Sequence, residues 1–227
     1  MKYYIYISDA KVDMLFPQIT QEAKKRIATE FKFDLKLLSA SRRTETESDD
    51  NRFTRLEAVV AFIRQYGNLG TVDQPDEYVQ GNLEMCWGPY ADGTRYSDEE
   101  SPLIYFGGVT DQTIVGLGGS AKHVLGNTGL SHAHSHSATP FLIRRLGKEL
   151  GLRSEGQSHT NEAGGNTSAD EDGSEYWPLR ATELATTQMK GPKQQVEFVA
   201  KRLLYGKGYS KKKKVLLATP LYVALVE

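Results

Sequence analysis

The chain has 227 residues, 39% hydrophobic and 25% charged, with a formal net charge of -1. That length holds one large core or two small ones, and the near-zero charge gives no global bias toward nucleic acid or anionic membrane. A single cysteine, Cys86, excludes an internal disulfide and a cysteine-cage zinc site, and fits a reducing compartment.

The first element is "KYYIYIS" (2–8), aromatic and β-branched, which reads as a buried strand. "TQEAKKRIATEF" follows as a helix, with Thr20 as N-cap and Glu22 in the first turn. "FDLKLLS" reads as a short strand and the polar "ASRRTETESDDN" (40–51) as a loop. "NRFTRLEAVVAFIRQYG" is the clearest helix. Leu56, Val59, Val60, Ile63 and Tyr66 form its apolar stripe, and Gly67 stops it.

Next, "SPLIYFGG" and "TIVGLGG" make a β-hairpin about "VTDQ". "TPFLIRRLGKELG" reads as a helix capped by Thr139, with Pro140 first and Gly151 past the end. Residues 153–175 carry almost no large apolar side chain and predict a mobile loop. "QQVEFVAKRLLYG" reads as a helix, and "KVLLATPLYVALV" as a closing strand or strand pair.

Local patterns recur in order. "RIATEFKF" matches "RLGKELGL", "MCWGP" matches "MKGP", and "YFGGVTDQTIVGLGGSAKHV" (105–124) aligns without a gap with "LYGKGYSKKKKVLLATPLYV" (204–223). The expected fold class is α+β (mixed α/β). Two related halves, 1–130 and a shorter 131–227, would descend from an internal duplication about a pseudo-twofold axis. They would share or pack sheets with helices on one side and form one compact unit. The alternative is ordinary strand-turn-strand similarity.

"YYIYISDAKVDMLFPQI", "RTETESDDNR", "FGGVTDQTIVGLGGSAKHVLG" and "ATPLYVAL" together resemble a family of uncharacterised bacterial proteins, common in actinomycetes. The resemblance spans most of the chain. It implies a bacterial cytoplasmic origin and a single repeated scaffold, and it transfers no catalytic residue.

Four stretches carry chemistry. "GLGGSAKH" (116–123) follows an apolar strand. Gly118 and Gly119 would let backbone amides approach an anion, with Ser120, Lys122 and His123 adding a hydroxyl, a cation and an imidazole. It is neither a Walker loop nor a dinucleotide fingerprint. The alternative is a packed strand whose glycines make room for a neighbour. "SHAHSHSATP" holds three of the five histidines. Extended, His132, His134 and His136 share a face that could hold zinc, nickel or copper. Alternatively the stretch is a polar connector, or it contacts an anionic ligand through His134, His136, Ser137 and Thr139 at a helix start. In "SRRTETESDDNR", Arg42 and Arg43 could clamp phosphate beside acids that include Asp49 and Asp50, or the cluster is simply solvated. "KKKK" (211–214) could attract a polyanion, but it falls at a turn without interleaved aromatics, which argues against nucleic acid.

The leading expectation is a binding or sensor module for a small anionic ligand, such as a nucleotide, in bacterial signalling or defence, with the ligand held between the halves. A non-enzymatic protein-interaction or scaffold component of a bacterial conflict system is the second reading. A metal-dependent hydrolase using the histidine run is the third. No catalytic residue is assigned and no cofactor is required, a divalent metal entering only with the third reading. The expected partners are a small anion and, in the second reading, a protein. No membrane contact is expected: "MKYYIYISDAK" is apolar only briefly, no run reaches the roughly 20 residues of a span, and the expected location is the cytoplasm.

Overall fold

The computed structural model describes residues 2–31, 49–89, 103–126, 176–210 and 212–226. Its strands are β1 (Tyr3–Ile7), β2 (Leu69–Thr71), β3 (Tyr78–Pro89), β4 (Leu103–Val109), β5 (Thr113–Ser120), β6 (Gln194–Lys207) and β7 (Lys214–Leu225). Its described helices are α1 (Asp9–Leu15), α2 (Gln21–Phe31), α3 (Asp49–Tyr66) and α4 (Tyr176–Gln188). Among them none is long and apolar enough to cross a membrane.

The mixed α and β content matches the expected class, but the architecture is a barrel. β3, β4, β5, β7 and β6 pair in that order, and β6 returns to β3. Only β5 and β7 run parallel within this ring. Counted along the chain, the ring order is 1-2-3-5-4, the Greek-key order of an OB-type barrel, with α4 between its third and fourth strands. β1 and β2 extend the sheet: β1 pairs with the end of β7, and β2 with the start of β3.

Alternation fills the barrel. Val79, Leu83 and Met85 from β3 point inward, as do Ile104 and Phe106 from β4 and Val115 and Leu117 from β5. Val196, Phe198 and Ala200 from β6 and Leu216, Ala218 and Val223 from β7 complete the interior. The parity of β7 changes near Pro220, where its register with β6 slips between Val199 and Ala200.

Helices cover two outer faces rather than the single side expected. α1, α2 and α3 bury Val12, Ile27, Leu56, Val59, Val60 and Ile63 against Val199, Leu221 and Tyr222. α4 packs Ala181 on Leu103, Tyr105 and Leu217, and Leu179 on Ile114 and Val215. This double cover explains one misreading. The sequence suggests a helix over "QQVEFVAKRLLYG", but the segment is β6. Val196, Phe198 and Ala200 alternate into the barrel while Val199 packs under the helices, so three residues in succession, 198–200, are buried and interrupt the strand period.

Several local readings hold. Thr20 Oγ1 accepts the Ala23 amide at 3.2 Å, capping α2. The stripe of α3 is buried except at Tyr66, which is 46% exposed and lies against Phe62. Both segments aligned in the sequence are hairpins, β4–β5 and β6–β7, but β5 and β7 join them into one barrel, so the described parts of the two halves share one core. The "FDLKLLS" strand, the 139–151 helix and the 153–175 loop lie outside the described residues.

Candidate functional site

The sharpest concentration of polar groups lies where β1 leaves the sheet and β5 ends. Ser8 donates its amide to the Leu221 carbonyl at 2.8 Å, and its own carbonyl accepts from Lys11 and Val12 to start α1. The Ser8 side chain does not cap that helix. Three residues on, Lys11 lies on the same side of the turn. Its Nζ is 3.1 Å from Ser8 Oγ and 3.2 Å from the Pro220 carbonyl, close to the irregularity in β7. Burial brings the Lys11 pKa down to about 8.

From the other side, β5 ends at Ser120 and turns through Ala121–His123. The turn is held over β1 by a bridge between Tyr6 and Val124 and by the Leu125 amide on the Ile5 carbonyl. This brings the His123 ring edge-on to Tyr6, with its Nδ1 3.8 Å from Asp9 Oδ2. Burial lowers the His123 pKa. Asp9 opposes that, and the charges of Lys122 and Lys11 add to it. Asp9 is itself committed to Arg52, whose Nε and a terminal nitrogen meet its two oxygens at 2.7 and 2.9 Å.

One buried hydroxyl completes the corner: among the described residues Tyr6 Oη makes no well-formed hydrogen bond and has the Ser8 side chain and the Ser120 backbone in reach. Ser120 Oγ, also buried without a partner among the described residues, is in register with Leu103, which packs under α4. Burial raises the Tyr6 pKa, only partly offset by the nearby Ser8 side chain and Ser120 backbone, so the phenol keeps its proton. Neither Lys11 nor Lys122 has a carboxylate within ion-pair distance among the described residues.

Of the residues singled out in "GLGGSAKH", the structure brings His123 here, and the charge of Lys122 acts on it. Gly118 and Gly119 are different. They sit inside β5 in register with Tyr105 and Ile104, and form no loop cradle. A side chain at Gly119 would collide with the Tyr6 hydroxyl, and one at Gly116 with the Tyr105 hydroxyl and Thr182. These two glycines make room for tyrosines, which was the alternative reading of the motif. Arg42, Arg43, His132, His134, His136, Ser137 and Thr139 lie outside the described residues. Among the described residues no group of three histidine, cysteine or acidic side chains could hold a metal.

The family model for a family of unknown function, DUF7019, matches residues 2–227. The chain belongs to DUF7019. No curated protein and no solved structure matches it.

For this DUF7019 member, other polar places are better accounted for. An open cleft of about 400 Å³ is lined by Arg64, Asp73, Asn82, Glu197 and Tyr222. There Glu197 is held by Lys2 at 2.7 Å and by the Tyr222 hydroxyl, and Asp73 by Thr110. The acids of this cleft are thus partnered. The lysine turn is tied down as well. Lys213 donates to the Thr110 carbonyl at 2.5 Å, and Glu183 accepts the Tyr209 amide at 2.6 Å. Cys86 is buried and donates to the Gly191 carbonyl.

Tyr6, Ser8 and Lys11 escaped the sequence reading because "YYIYISDAK" reads as strand followed by charge. The available signal was Ser-x-x-Lys at a strand-to-helix junction, one helical turn apart.

Proposed function

We propose that the protein binds a small anionic ligand, a phosphate or carboxylate compound of nucleotide size or below, at the corner formed by Tyr6, Ser8, Lys11, Lys122 and His123. The observation that carries this reading is a charge imbalance. Among the described residues two lysines lack a carboxylate partner, and the nearby buried Tyr6 hydroxyl makes no well-formed hydrogen bond. A buried ammonium is costly without a counter-charge, so Lys11, held only by a hydroxyl and a carbonyl among the described residues, fits a partner that is itself anionic and accepts hydrogen bonds. Arg52 and Arg55 do not share this role, since each is paired, with Asp9 and Asp13 respectively.

Thermal unfolding in the presence of inorganic phosphate, small dicarboxylates and nucleoside mono- and diphosphates tests the reading. A ligand at about 100 times its Kd adds about 2.7 kcal/mol, a shift of several degrees. The shift should be lost in Lys122→Ala. Wild-type protein that melts unchanged with every anion in the panel would sink the proposal.

A further inference from the structure

Anion binding alone gives no reason for the contact between Ser8 and Lys11. Lys11 Nζ has two described partners of different kinds. The Pro220 carbonyl can only accept, whereas the Ser8 hydroxyl can accept or donate. As an ammonium, Lys11 donates to both. As a free amine it still donates to Pro220, and its lone pair faces the Ser8 proton. No described carboxylate lies within ion-pair distance to hold the ammonium form, and Lys11's pKa of about 8 keeps some free amine at neutral pH. Ser8 Oγ does not cap α1, and its other neighbour is the Tyr6 hydroxyl.

We propose that Ser8 is a nucleophile and Lys11 its general base, in acyl transfer from a small carboxylic ester that bears a separate anionic group. This rests on the corner being an anion site, with Lys122 taking the substrate's charge. The Lys11 amine takes the Ser8 proton as Oγ bonds to the acyl carbon. The ester C–O bond then breaks, and the leaving alkoxide takes the proton back from Lys11. In the second half, water gives a proton to Lys11 and its oxygen to the acyl carbon. The acyl–Oγ bond breaks and Ser8 Oγ recovers the proton. The sum is ester plus water to acid plus alcohol, with no cofactor. The Tyr6 phenol, protonated, in reach of Ser8 and without a well-formed hydrogen bond among the described residues, is placed to donate to the oxyanion.

Ser8 is only 1% exposed, so the probe must be small. The full chain is treated with phenylmethylsulfonyl fluoride and mapped by mass spectrometry. The expected result is one adduct, on Ser8, forming about 100-fold more slowly in Lys11→Met. Ser8→Ala, checked as folded by its melting curve, should form none. Mono-4-nitrophenyl succinate should be hydrolysed faster than 4-nitrophenyl acetate, and Lys122→Ala should erase that preference. No Ser8 adduct on folded wild-type protein overturns the nucleophile, as does equal labelling of wild type and Lys11→Met. If anions stabilise the protein but Ser8 stays unlabelled, binding stands and catalysis falls. If Ser8 labels and both esters react alike, the anion reading falls and with it this substrate class.

Discussion

Two tyrosines are lodged against β5 in the same way and end differently. Tyr105 occupies the space left by Gly116, and Tyr6 the space left by Gly119. Both are fully buried, and burial raises the pKa of both. The Tyr105 hydroxyl meets Thr186 Oγ1 at 2.9 Å and the Thr182 carbonyl at 3.4 Å, so α4 closes over it as structure. The Tyr6 hydroxyl makes no hydrogen bond of that quality, with only the Ser8 side chain and the Ser120 backbone in reach among the described residues. One chain thus uses the same tyrosine-over-glycine device twice, once satisfied and once not. A buried group left poorly satisfied lowers stability, so Tyr6 is the less firmly held of the two.

The contrast can be broken most severely at the glycines. Gly116→Ala should cost about 3 kcal/mol in urea unfolding, because the new methyl collides with a tyrosine pinned by Thr186. Gly119→Ala should cost less, about 1–2 kcal/mol, because no hydrogen bond holds Tyr6 in place. Equal losses would remove the distinction between the two sites.

Removing the hydroxyls gives a smaller effect and a sharper test. Tyr105→Phe should lose about 1 kcal/mol, since it takes away the partner of Thr186. Tyr6→Phe should stay within about 0.5 kcal/mol of wild type, or gain stability, while weakening any anion-induced thermal shift.

The smallest effect is in the pH dependence. His123 has its pKa lowered in the folded state, by burial first, from its ordinary value of 6.5. The unfolded chain therefore binds the proton first. The stability tied to neutral His123 is complete above that value and is lost as the pH falls below it. Wild-type urea midpoints should decline between about pH 7 and pH 5 more steeply than those of His123→Asn. Parallel profiles would mean that His123 titrates alike in the folded and unfolded chain.

How much of this was legible in the sequence depended on distance along the chain. Thr20 as a cap, the α3 stripe and the β4–β5 hairpin are local signals, readable from their neighbours. β6 was not, because the helices that bury its second face come from the far end of the chain. The glycines of β5 showed that something close-fitting lay there, but what fills the space, Tyr6 or Tyr105, is long-range information. Ser120, Lys122 and His123 stood out by residue type. Ser8 and Lys11 became visible only once Pro220 was placed beside them.

The corner also constrains how the chain can assemble. β1 pairs Tyr3 with Leu225, so two segments more than 200 residues apart form adjacent strands. Lys11 finds its carbonyl on Pro220, and Ser8 its acceptor on Leu221. During synthesis the first dozen residues must therefore wait for the last strand to emerge before Ser8 and Lys11 have these partners. Such non-local closure is slow to nucleate. The paired groups at this corner come into being with the completed barrel, not before it.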